Sequence, residues 1–252
     1  MTTELENLPK TYAFRIKVLS PDSSRDRQIK PSCAMKYFQE LSDCHCAAVG
    51  NDYQTLKDRD MAFISVRTSL TFHRTPKWCE MITCETWHRE MKGTQWIRDC
   101  VMKSDDGQVL VESTTGWILM NLTDRKVCRP NKVPGLNVVT APELALQNDR
   151  LGRMKMPEEM PLVAERPILY SDIDYFGHLN NCVYADIICD YMPGSMTGRE
   201  MKKLDISFVM EAVQGDTLKI HALEQDGKVY FTGYHDRGKC FDAIAEVAPI
   251  EG

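Results

Sequence analysis

Residues 12–18, YAFRIKV, read as a strand, and the polar, turn-rich stretch SPDSSRDRQIKP follows. Pro31-Ser32 then opens a helical pattern: Ala34, Phe38, Leu41, His45 and Ala48 fall on one face, and Gly50-Asn51 is a stop signal. From Ala62 the period drops to two, with Ile64, Val66, Thr68, Leu70 and Phe72 alternating with more polar neighbours until Pro76. Strand patterns follow near 80–90, 94–104 and 108–120, the last two separated by a Ser104-Asp105-Asp106-Gly107 turn. Residues 130–161 hold prolines at 130, 134, 142, 157 and 161, which marks a linker with room for a short helix near 142–150.

The order then repeats. Arg166 to Tyr170 reads as a strand, and a polar loop leads into a helix from about Asn180 to Tyr191, stopped by Pro193. Strands are expected near 204–210, 217–224, 228–235 and 240–248, with turns at Gly215-Asp216, Asp226-Gly227 and Arg237-Gly238. The second helix is apolar nearly all round, as a buried helix is. The pattern predicts an α+β protein of tandem units, each a curved antiparallel sheet wrapped around a central helix. Sheet edges need cover, so the units are expected to pair into one continuous sheet. The expected boundaries are 10–130, a linker over 131–160, and 161–250.

The units differ at one place. Before the first helix stands Ser23-Ser24-Arg25-Asp26-Arg27; before the second stands Asp172-Ile173-Asp174-Tyr175-Phe176-Gly177-His178-Leu179-Asn180-Asn181. Only the second copy carries a histidine and clustered acids, with Asn180 as the expected helix cap and Asn181 next to it.

The 252 residues, 43% of them hydrophobic, can bury a proper core, and the net charge of −5 argues against broad nucleic-acid or membrane-surface binding. The N-terminus has no signal-peptide pattern and no apolar run reaches the ~20 residues of a membrane span, so a cytoplasmic protein is expected. Ten cysteines without CxxC spacing read as reduced thiols. The dense Asp43-Cys44-His45-Cys46 run points its side chains in different directions on a helix, a poor arrangement for one metal. With no Gly-rich phosphate loop and no HExxH, no metal or nucleotide cofactor is expected.

The stretch Asp172 to Asn181 before a buried helix resembles the hotdog thioesterases. The doubled arrangement resembles the acyl-acyl-carrier-protein thioesterases of plants and bacteria, from about Tyr12 to Glu246. Lys92-Gly93-Thr94-Gln95, Ile97-Arg98-Asp99, Ser113-Thr114, Trp117, Met120-Asn121 and Phe208 to Glu211 carry further likeness. The resemblance implies two hotdog folds, hydrolysis of acyl-acyl-carrier-protein thioesters to free fatty acid, and a first unit that holds the acyl chain. Alternatives are an acyl-CoA thioesterase and a non-catalytic acyl-thioester sensor.

It also implies site residues. Asp174 takes the family's aspartate position, His178 its histidine position and Glu211 its glutamate position. The asparagine position is occupied by Phe176, so either the asparagine's role is dispensable or Asn180 or Asn181 supplies an amide from the next turn. Ala212 stands where plant members often carry a cysteine. His178 suits general-base work, Glu211 would orient it, and Asp174 would align water or attack directly to give an anhydride. Gly177 and the start of the second helix would bind the oxyanion. Asp172 is expected to fix the loop. Trp78, Trp87, Trp96 and Trp117 are expected in the core or the tunnel wall. The implied partner is acyl carrier protein with its acyl-phosphopantetheine. That acidic partner would need a basic patch, with Arg150, Arg153 and Lys155 or Arg199, Lys202 and Lys203 as candidates. A homodimer is compatible with the sequence.

Overall fold

Pro31 starts helix α1 (Pro31–Ala48) because its ring fixes φ and its missing N–H is one the first turn would leave unpaired. The helix turns Ala34, Phe38, Leu41 and His45 inward as the spacing predicts, but Ala48, at its last residue, is exposed. A computed structural model describes residues 7–129, 132–147 and 151–250. In chain order the other elements of the first half are β1 (Thr11–Lys17), a short α2 (Tyr53–Lys57), β2 (Met61–Phe72), β3 (Met81–Lys92), β4 (Gln95–Lys103), β5 (Val109–Asn121) and β6 (Lys126–Cys128). The second half holds β7 (Leu162–Pro167), α3 (Val183–Asp190), β8 (Arg199–Phe208), β9 (Thr217–Gln225), β10 (Lys228–His235) and β11 (Gly238–Pro249).

All strands join an 11-stranded sheet in the order β1-β3-β4-β5-β2-β8-β11-β10-β9-β7, with β6 paired to β5. The seam between the halves is the antiparallel β2–β8 pair, from Arg67 opposite Ser207 to Thr71 opposite Lys203. Each half therefore covers the other's open edge, as the sequence pattern implies. The sheet wraps both helices, and α1 and α3 share one apolar cluster with side chains from both halves, including Phe38, Leu41, Ile187, Leu204 and Phe241.

The structure also departs from the pattern in places. Helix α3 begins at Val183 rather than Asn180, and α2 and β6 are too short to leave a periodic signal. The helix expected near 142–150 is a single 3₁₀ turn at Pro142–Leu144. Residues 148–150, Arg150 included, lie outside the described residues. Among the described residues no helix is long and apolar enough to cross a membrane.

Two irregularities shape the interior. The β2–β5 register shifts between Ser65 and Arg67, and the β3–β4 register shifts between His88 and Glu90. A bulge changes which face the following residues occupy. Ser65 and His88, each just before such a shift, line the central cavity.

Candidate active site

The loop before α3 is held by its own backbone and by Asp174. Ile173 and Leu179 form a bridge, the Asp174 N–H donates to the His178 carbonyl at 2.9 Å, and the Gly177 N–H donates to the Asp174 carbonyl at 3.0 Å. Gly177 sits at φ +82, a conformation that L side chains rarely adopt. Oδ1 of Asp174 accepts the Phe176 N–H at 2.9 Å and the His178 N–H at 3.3 Å. The aspartate thus organises the turn that displays the His178 ring. Asp172 anchors the base of the loop. It takes two bonds from Arg166, at 2.9 and 2.8 Å, and the Leu169 N–H at 2.9 Å. Burial pushes the Asp172 carboxyl up, but Arg166 and the Leu169 N–H hold it below its ordinary value.

The start of α3 is arranged differently from the simple helix-end site expected. Asn180 does not cap it: its Oδ1 accepts the Cys182 N–H at 2.8 Å within the turn that precedes the helix, and Cys182, the residue before Val183, makes no side-chain cap bond. The Gly177 and His178 N–H groups are engaged inside the loop, so the Gly177-His178 peptide does not offer them to a ligand. Asn181 lines the cavity beside them.

Glu211 follows β8, and its segment is tied to the loop by the Leu179 N–H, which donates to the Ala212 carbonyl at 2.8 Å. Its own carbonyl is held by Nε2 of His235 at 3.1 Å and by Arg237 at 3.3 Å, while Arg237 also forks onto both carboxylate oxygens of Asp216 at 2.7 Å. The Glu211 carboxylate pairs with Arg125, which reaches across from the β5–β6 turn of the first half. Enclosure raises the Glu211 carboxyl, but its own N–H, Arg125 and then His178 bring it below the ordinary value. The sequence gives no hint of Arg125, because the pair spans 86 residues. With side chains 66% and 38% exposed, this pair contributes at most ~1 kcal/mol to stability. Its effect on the site is larger. Arg125→Ala lets Glu211 protonate at higher pH, so the acid limb of a kcat/KM profile moves upward in pH while the unfolding midpoint barely changes.

Phe176, at the family's asparagine position, belongs to an aromatic group at the cavity mouth. Its ring lies 4.5 Å from Tyr175 and 5.5 Å from Tyr53 of α2, and Tyr53 and Tyr175 meet edge-on at 5.1 Å. The cavity behind them has a volume of about 1130 Å³ and is lined by Asp174, His178 and Glu211 together with first-half residues including Phe63, His88, Arg98 and Trp117. Trp87 and Trp96 are buried, but Trp78 is 46% exposed and belongs to neither core nor wall. The second basic cluster proves to be paired: Arg199 with Glu224, Lys202 with Glu200 and Lys203 with Asp205. Arg153 and Lys155 of the first cluster are exposed.

Comparison with known proteins agrees with this architecture. A crystal structure of an acyl-ACP thioesterase from Bacteroides thetaiotaomicron superposes with a TM-score of 0.86 at 17% identity, covering 97% of this chain and 99% of that one. The 12:0-ACP thioesterase from Umbellularia californica gives 0.86 at 17% identity, over 96% and 98% of the two chains. At these identities the likeness speaks to fold alone: tandem hotdog units sharing one sheet. Palmitoyl-acyl carrier protein thioesterase, chloroplastic, of Gossypium hirsutum is 20% identical over 221 residues, 82% of this chain and 54% of the relative. The chain thus spans about half the length of the curated relatives it matches. Residues 9–132 match the acyl-ACP thioesterase N-terminal domain and residues 157–247 match its C-terminal domain, so the chain belongs to the acyl-ACP thioesterase family.

Proposed function

We propose that the protein hydrolyses the thioester of acyl-acyl carrier protein, releasing free fatty acid and the carrier and so ending chain elongation. The observation that carries this reading is a cavity whose wall joins Asp174, His178 and Glu211 of the second half to first-half residues, Phe63 and Trp117 among them. A division of labour belongs to the same proposal: the unit over 10–130 encloses the acyl chain, and the unit over 161–250 carries the chemistry.

In this reading His178 takes a proton from water as the water oxygen attacks the thioester carbonyl carbon. The oxyanion is met by the Asn181 amide and the positive end of α3. The intermediate collapses with cleavage of the C–S bond, and the leaving thiolate recovers the proton from His178. The ionised Glu211 stabilises the imidazolium that exists between those steps. Asp174 already accepts two N–H groups through Oδ1, which favours an orienting role over direct attack on the substrate. Arg125 and Arg237, with side chains 66% and 50% exposed, both line the cavity, and an acidic carrier would favour that charge.

The test is release of free thiol from matched carrier-protein and CoA thioesters of one chain length. The expected result is a higher kcat/KM with the carrier protein. A strong preference for CoA would replace the proposal with an acyl-CoA thioesterase, and acyl binding without turnover would make the protein a sensor.

A further inference from the structure

Glu211 stands on residues 209–213, which follow β8 and belong to no strand, yet the proposed mechanism needs its carboxylate in one place. The hold on this segment comes from the β10–β11 hairpin. The register of that pair passes from Gly233 opposite Phe241 to Tyr234 opposite Lys239, so Cys240 is an extra residue with no partner on β10. A bulge of this kind frees backbone groups and re-aims the side chains beside it. The Cys240 carbonyl accepts the Val209 N–H at 2.8 Å and the Met210 N–H at 3.2 Å. Past the bulge, His235 ends β10 and is buried, 5% exposed.

The His235 ring is fixed at both nitrogens. Nδ1 accepts the Arg237 backbone N–H at 3.1 Å, so the proton of the neutral ring sits on Nε2. Nε2 then donates to the Glu211 carbonyl at 3.1 Å. A guanidinium nitrogen of Arg237 lies 3.2 Å from Nε2 and 3.3 Å from the same carbonyl, so two donors converge on that one oxygen. The far end of the segment is tied through the same arginine. Arg237 forks onto Asp216 at 2.7 Å, and Oδ2 of Asp216 accepts the Val213 N–H at 2.8 Å. Residues 211–213 are thus clamped at both ends. Among the described residues that line the cavity, neither His235 nor Asp216 is found, so both stand behind Glu211 and away from substrate.

Building on the thioesterase reading, in which ionised Glu211 stabilises the His178 imidazolium, we propose that His235 is a positioning residue of the reaction. It acts through the Glu211 backbone, with Arg237 and Asp216 completing the clamp, and meets no substrate atom. The effect of Glu211 depends on where its carboxylate lies between Arg125 and His178. Loss of the imidazole frees one of the two bonds to the Glu211 carbonyl, and the carboxylate moves with its backbone. A misplacement of about 1 Å can cost up to ~10²-fold in rate.

The test measures kcat and KM on one carrier-protein thioester for the wild type, Glu211→Gln, His235→Phe, His235→Gln, and Glu211→Gln combined with His235→Phe. His235→Phe keeps the bulk of the ring and loses both bonds. It should lower kcat about tenfold, and no further than Glu211→Gln does, with KM little changed, because the carboxylate acts on the imidazolium and not on bound substrate. His235→Gln keeps a donor for the Glu211 carbonyl and should recover most of the loss. With Glu211→Gln already in place, His235→Phe should change kcat by less than about twofold, since no carboxylate is left to misplace. A reduced folded fraction enters both comparisons and cancels between them. Asp216→Asn, which loosens the Arg237 fork without touching the buried ring, gives the same comparison if His235→Phe does not fold. Equal losses in the two backgrounds, or a His235→Gln protein no better than His235→Phe, would make the role purely structural and overturn the inference, leaving the thioesterase reading standing. If the wild type hydrolyses no thioester, that reading fails instead, and an NMR titration of the Glu211 carboxyl decides the inference. Arg125, His178, Arg237 and Tyr184 face that carboxyl, which titrates below its ordinary 4.5 in the wild type. His235→Phe should move it up toward 4.5, and His235→Gln should leave it low. A Glu211 titration unmoved by His235→Phe would overturn the inference.

Discussion

His178→Ala lowers kcat/KM for a carrier-protein thioester by roughly 10²–10⁴-fold, the range typical of a lost general base. The fold around it should persist. The loop is closed by the Asp174 N–H to the His178 carbonyl and by Asp174 Oδ1, bonds that use the His178 backbone and not its ring. An unchanged urea midpoint beside the lost turnover separates chemistry from folding. Asp174→Ala should behave otherwise. It removes the acceptor of the Phe176 and His178 N–H groups, so turnover falls together with order in the loop. Glu211→Gln keeps the shape and removes the charge, and should weaken activity less than loss of the imidazole. A His178→Ala protein that retains wild-type turnover would remove this residue from the mechanism.

Much of the frame is legible in the sequence because it rests on local periodicity. The 3.6-residue stripe through Ala34, Phe38, Leu41 and His45 finds α1, and the alternation after Ala62 finds β2. The pairing of the halves follows from the need to cover open edges, and the β2–β8 seam supplies it. The loop before α3 stands out because its residue types differ so sharply from its counterpart in the first half.

What escapes the sequence depends on contacts between distant segments. Arg125 reaches Glu211 across 86 residues, and Arg98 meets His45 across 53. The Asp43-Cys44-His45-Cys46 run raises a question about metals, yet His45 and Cys46 both turn to one arginine on β4. Their convergence depends on how α1 lies against the sheet and on the β3–β4 register that sets His88 opposite Arg98. Phe176 reads as a gap in the family's polar set, and only the position of Tyr53 on the short α2 turns it into a part of the cavity mouth. Trp78 misleads because an isolated tryptophan in a loop carries no periodic information about which way it faces.

The buried cluster of Arg98, His45 and His88 makes a second large prediction, one about stability. Arg98→Met leaves the lone pairs of His45 Nδ1 and His88 Nε2 without donors in a buried site, and should cost about 2–5 kcal/mol at neutral pH. His45 adds a pH signature. Burial, with Arg98 adding to it, lowers its ring from 6.5 to about 4, so the folded protein keeps it neutral where the unfolded chain already binds a proton. Its contribution to stability is therefore intact above pH ~6.5 and is lost as the pH falls toward 4, by about 3 kcal/mol in all. His88, driven down in the same direction by burial and Arg98, adds to the acid loss. Asp99, raised by burial, acts in the opposite sense. A difference measurement cancels Asp99, which is present in both proteins, and reads His45 together with its effect on His88. His45→Gln should be less stable than wild type at pH 7, and the gap should narrow by about 3 kcal/mol between pH 7 and pH 4 in chemical denaturation. A gap that stays constant over that interval would mean that His45 protonates alike in both states, and a neutral His45 ring accepting from Arg98 in the fold would lose its support.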